Sequence, residues 1–164
     1  MKWRAVVASA LTLAVGNIVA SSIFVALSMV ALSMAMPSVA SAEIRIVGDP
    51  GGEVSSYVRK FEAVRASGER IVIDGPCLSA CTLLLGIVPR SHICVTQQAV
   101  LGFHAASYYD DASRSLVPTR EGSRLVMRVY PPEIRGWIER HGGLTPKLIR
   151  LQGRELTAMY HTCQ

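Results

Sequence analysis

The alternation of apolar and polar residues changes period repeatedly, and each change marks an element. Ile44-Arg45-Ile46-Val47 alternates weakly and is rich in β-branched residues, and Gly48-Asp49-Pro50-Gly51-Gly52 then breaks it. This predicts a strand running into a tight turn. From Glu53, the residues Val54, Tyr57, Val58, Phe61 and Val64 recur at three- and four-residue intervals until Ser67-Gly68, which predicts an amphipathic helix. Ile71-Val72-Ile73 reads as a short buried strand bounded by Asp74-Gly75-Pro76. The run from Ala80 to Ile87 is apolar on all sides and stops at Pro89, as a buried helix would. Ile93-Cys94-Val95 and Val100-Leu101-Gly102-Phe103 supply two further strands. That order implies right-handed parallel crossovers and an α/β sheet. Beyond His104, Tyr108-Tyr109-Asp110-Asp111 reads as an exposed polar loop, followed by helices from Arg120 to Tyr130 and from Pro132 to His141. The second of these carries Ile134, Trp137 and Ile138 on its inner face, and Thr145-Pro146 is expected to cap a third.

Residues 1–42 stand outside this pattern. Lys2 and Arg4 precede an uncharged stretch rich in Ala, Val, Leu, Ser and Met that ends Ala40-Ser41-Ala42. It reads as an export signal cleaved after Ala42, or, since an apolar stretch of ~20 residues spans a bilayer, as a retained N-terminal membrane anchor. Residues 43–164 are expected to form one domain. Without Lys2 and Arg4, 15 of the 17 basic residues remain against all 12 acidic ones, so the formal charge drops from +5 to +3. The basic residues are scattered and lack interleaved aromatics, which argues against nucleic acid as a partner. Cys77, Cys81, Cys94 and Cys163 all lie in the domain, and an even count in an exported chain favours disulfides over a metal site. Three pairings are open.

Candidate chemistry gathers at one junction. Ser79, in Gly75-Pro76-Cys77-Leu78-Ser79-Ala80-Cys81-Thr82, sits where a β-type run gives way to the buried helix, and His104 follows 25 residues later at a strand end. The first amides of a helix have no internal acceptors and stabilise nearby negative charge. A serine there also serves as a helix cap, a lone histidine as a structural hydrogen-bonding group, and Pro-Gly-Gly as a plain turn. Pro50-Gly51-Gly52, then Ser79 before a buried helix, then His104 at the end of an apolar strand together resemble the Clp protease proteolytic-subunit family, within the larger crotonase-like superfold. The resemblance covers about residues 43–104. It implies a β-α-β-α spiral core with a helical C-terminal part.

By that resemblance Ser79 is the nucleophile, His104 the general base, and the amides of Gly52 and Ala80 the oxyanion hole. The family's triad aspartate falls at Gly153 in this chain, and no aspartate follows Asp111. Glu155 is the nearest replacement; Asp110, Asp111 and a dyad oriented by a backbone carbonyl are the others. A disulfide from Cys77 or Cys81 to Cys94 or Cys163 would brace the nucleophile. The expected function is that of an exported, periplasmic or extracellular serine hydrolase. It would act as an ATP-independent peptidase on peptide or protein substrates, with no cofactor and no metal. The oligomeric state stays open, with a homo-oligomer among the readings, and membrane contact would come only through an uncleaved leader. The alternative is a non-catalytic binding or assembly module that keeps the fold without the acid.

Overall fold

A computed structural model describes residues 42–164. The predicted leader therefore lies outside the described residues, apart from Ala42. No helix among the described residues is long and apolar enough to cross a membrane.

Strand β1 (Glu43–Ile46), helix α1 (Val54–Ser67) and strand β2 (Arg70–Ile73) follow the expected order. Next come β3 (Pro76–Leu78) and a 3₁₀ segment (Ser79–Leu83) that continues into the short helix α2 (Leu84–Ile87). Strands β4 (Ile93–Val95) and β5 (Val100–Phe103) precede a hairpin of β6 (Ser107–Asp110) and β7 (Ser115–Pro118). Helices α3 (Arg120–Val129) and α4 (Pro132–Arg140), strand β8 (Ile149–Gln152) and helix α5 (Gly153–Met159) complete the domain. The fold is mixed α/β: β1, β2 and β4 form a parallel sheet, while a second sheet pairs β3 with β5 in parallel and β5 with β8 antiparallel.

The core explains this order. Ile71, Ile73, Ile93 and Val95 are fully buried in the first sheet, as the uninterrupted apolar runs require of strands covered on both faces. Phe61 and Val64 of α1 pack on them, and Leu83 and Leu84 fill the space beside the second sheet. Phe103, at the end of β5, meets Tyr130 edge-on at 5.4 Å and Trp137 of α4 at 5.8 Å between ring centroids. This aromatic cluster fixes the position from which His104 emerges.

Three expectations are corrected. Pro76–Leu78 is a strand rather than part of a turn, because it pairs with Val100–Gly102 of β5 and proline at its first position removes no ladder donor. The segment after His104 is a hairpin rather than a polar loop. Its register sets Tyr108 opposite Val117 and Tyr109 opposite Leu116, and the Asp110 carboxylate accepts the Ser113 N–H at the turn. Thr145-Pro146 opens no helix: Ile149–Gln152 alternates, buries Leu151 and joins the sheet edge beside β5.

The disulfides pair differently from the expected brace, since Cys77 joins Cys81 and Cys94 joins Cys163. Two disulfides are compatible with an exported protein. Cys94–Cys163 closes a separation of 69 residues and clamps the tail to β4, where Val95 N–H donates to His161 O and Cys163 N–H donates to Val95 O, each at 3.1 Å. Replacing both as Cys94→Ser/Cys163→Ser is expected to lower unfolding free energy by up to about 4 kcal/mol, read as a fall in urea midpoint under non-reducing conditions.

Candidate functional site

The Asp49-Pro50-Gly51-Gly52 turn is tied to the strand that delivers Ser79. Asp49 N–H donates to Pro76 O at 2.8 Å, Leu78 N–H donates to Asp49 O at 2.9 Å, and Asp49 and Cys77 form a parallel bridge. The Asp49 carboxylate accepts the Gly51 N–H at 2.9 Å and the Tyr57 hydroxyl, with Lys60 Nζ at 3.6 Å. Desolvation, aided by Asp49, pushes the Tyr57 phenol up to about 12, which keeps it a donor. Gly51 has φ +84°, and a Cβ there would stand 2.5 Å from Leu78 O and 2.6 Å from Ser79 Cβ. Only glycine lets the turn lie this close to Ser79.

Ser79 itself has φ 54°, the left-handed region that side-chain-bearing residues seldom occupy. Such a residue between a strand and a helix turns the chain sharply, so Ser79 stands at an elbow. Leu78, not Ser79, is the N-cap of the 3₁₀ segment and makes no side-chain cap bond, so the capping reading of Ser79 is not realised. Three devices hold the elbow in addition to Gly51. The Cys77–Cys81 disulfide spans it, with Cα atoms 5.3 Å apart. Thr82 Oγ1 donates to Ser79 O at 2.6 Å, and Thr82 Oγ1 and Tyr130 OH are also 2.6 Å apart. A carbonyl can only accept, so the Thr82 proton goes to Ser79 O and Tyr130 must be the donor to Thr82.

His104 is half-buried, one residue beyond β5, with Nδ1 2.7 Å from Ala105 O. The carbonyl is an acceptor, so Nδ1 carries the proton and Nε2 of the neutral ring keeps its lone pair. Ser79, Ala80, His104, Val54 and Tyr130 line one crevice of about 20 Å³, room for roughly one water-sized group. No direct hydrogen bond joins Ser79 and His104 among the described residues. Gly52 is exposed on the turn.

The expected acid lies elsewhere. β8 runs antiparallel to β5 with Gln152 opposite Val100 and Ile149 opposite Phe103, which puts residues beyond Gln152 at the end of β5 away from His104. Glu155 accepts the Trp137 indole N–H at 3.2 Å there. Asp110 is engaged with Ser113 inside the hairpin and Asp111 is exposed on its turn. The backbone carbonyl of Ala105 is the group that orients His104. Only the side-chain inventory after Asp111 hinted at this, because a backbone acceptor leaves no mark in sequence.

No protein-family model matches the chain, and no curated protein matches it. Among solved structures, eight chains match. One of them, a ClpP1 mutant from Listeria monocytogenes, is 14% identical with a TM-score of 0.42, over 74% of this chain and 71% of that chain. The site is therefore read from its own geometry.

Gly51→Ala is expected to destabilise the protein by roughly 1–3 kcal/mol, through left-handed strain and overlap with Leu78 and Ser79; urea unfolding measures it. Burial pushes the Tyr130 phenol up to about 12. A raised folded pKa stabilises fully below the ordinary tyrosine value of ~10 and less as pH climbs through the folded value. The urea midpoint is thus expected to fall between about pH 10 and 12. Tyr130→Phe should make that fall shallower while lowering stability at pH 8.

Proposed function

We infer that the protein is an exported serine hydrolase, an ATP-independent peptidase of Clp-like fold with a Ser79–His104 dyad. The observation carrying this reading is the left-handed Ser79 backbone at a strand-to-3₁₀ junction, facing the crevice that His104 also lines. In the reaction, Ser79 Oγ attacks the scissile carbonyl carbon and its proton moves to His104 Nε2. The developing oxyanion is held by two backbone amides. Gly51 N–H is taken by Asp49, which leaves Gly52 as the next donor on the turn. Ala80 is the second residue of the 3₁₀ segment, ahead of the first internal acceptors. Collapse expels the amine, which takes the proton from Nε2, and water then repeats the sequence to release the acid.

The Ala105 carbonyl supplies the tautomer and orientation that a triad carboxylate would supply, without its full negative charge for the imidazolium. A tautomer error alone costs ~10⁴ in turnover, and this site avoids that loss while giving up part of the electrostatic stabilisation. The position of Glu155 on Trp137 favours the second reading, a binding module with the same crevice and no turnover. A fluorophosphonate probe separates the two. Wild type is expected to label and Ser79→Ala not to label. His104→Ala should slow labelling by about 100-fold or more, and Glu155→Gln should leave it within about twofold. Labelling of Ser79→Ala equal to wild type, or none of wild type at pH 8, overturns the hydrolase reading.

A further inference from the structure

The crevice at Ser79 is too small for a substrate, and the larger space beside it has a distinct chemistry. A groove of about 780 Å³ begins at Ala105, which also lines the crevice, and runs between Thr119–Arg124 on one side and Leu144–Pro146 on the other. Its volume is in the range of ligand-binding clefts. Arg120 and Arg124 both line it, one turn apart on α3 and therefore on the same face. No carboxylate lines the groove, and the ion pairs among the described residues use Arg45, Lys60 and Arg90 instead.

These arginines stand at a fixed place relative to the dyad. Thr119 N–H donates to Ala106 O at 2.8 Å, Ala106 N–H donates to Ser123 Oγ at 3.1 Å, and Ser123 Oγ donates to Thr119 O at 2.8 Å. Gly122 lies so close to Ala106 that an added Cβ would be 3.1 Å from the Ala106 Cβ and 2.7 Å from Thr119 Cγ2. On the opposite wall, Ala105 N–H donates to Thr145 O at 2.8 Å. The segment that follows His104 is thus the floor of the groove, bonded to both walls.

We propose that this groove is an acidic-peptide subsite: it binds Asp or Glu side chains of the substrate through Arg120 and Arg124, beside the bond presented to Ser79. Two guanidinium groups offer forked donors to carboxylates, and no resident acid competes for them. The proposal rests on the hydrolase reading of Ser79 for its orientation, but its test does not require turnover.

The test is fluorescence anisotropy on the Ser79→Ala protein with two fluorescein-labelled decapeptides, one of alternating Glu and Ala, the other of alternating Gln and Ala. The Glu peptide is expected to bind about tenfold more tightly at moderate salt. Adding Arg120→Gln/Arg124→Gln should abolish that preference. Adding Arg65→Gln/Arg128→Gln, which removes equal charge away from the groove, should preserve it. Equal binding of the two peptides overturns the proposal, as does a preference that survives Arg120→Gln/Arg124→Gln or vanishes equally in both double variants. Fluorophosphonate labelling of the wild type, with Ser79 intact, is read in parallel. Failure of the wild type to label removes the hydrolase reading alone, whereas normal labelling with no peptide preference removes the subsite alone.

Discussion

A serine held at φ 54° is a conformation that the rest of the domain has to enforce. Left-handed backbone at a residue with a side chain costs on the order of 1–3 kcal/mol and persists only where its surroundings over-determine it. Here they do so from four directions. The disulfide ties the residues two before and two after Ser79, the buried Thr82 grips its carbonyl, Tyr130 grips Thr82, and Gly51 closes against its Cβ. These contacts come from β3, the 3₁₀ segment, the end of α3 and the turn after β1, so four separate parts of the domain reach the elbow directly.

The same economy of parts shapes the other half of the site. Phe103 anchors the end of β5 in an aromatic cluster, His104 emerges next, and the carbonyl of Ala105 turns its ring. The two residues that follow His104 then pair with Thr145 on one side and with Thr119 and Ser123 on the other. A displacement of α3 would accordingly move the imidazole and the groove together. The ring is thus oriented by a neighbouring carbonyl, while the Glu155 carboxylate is engaged with Trp137.

Much of this was legible in the sequence, and the failures have identifiable causes. Strands β1, β2, β4 and β5 and helices α1, α3 and α4 announce themselves because each buries a periodic or continuous apolar set. β3 was hidden because Gly75-Pro76 carries a turn signature, while its pairing depends on β5 and Asp49, both distant in sequence. The hairpin was hidden because Tyr108, Tyr109 and Leu116 are exposed, so no burial pattern marks it and cross-strand pairing decides. β8 was missed because proline after threonine fits a helix start equally well. Ser79 and His104 stood out as candidates from their junctions, and the turn from its glycines. A backbone carbonyl was among the alternatives for orienting His104, but not which one, since a carbonyl belongs to every residue, and the arginine groove left no mark, since it exists only where α3 meets the segment after His104.

The Cys94–Cys163 bridge has a consequence for the order in which the molecule is completed. Cys77 and Cys81 are separated by only four positions, so that bond can form as soon as this stretch of chain meets an oxidising environment. Cys94 must wait for a partner that lies beyond α5, and Val95 likewise waits for Thr162. A chain emerging from its N-terminus would assemble the Ser79 elbow early and leave the edge of β4 unpaired until the tail arrives. For that interval the exposed ladder groups of β4 are open to another chain's strand, and the late clamp also serves as protection against aggregation.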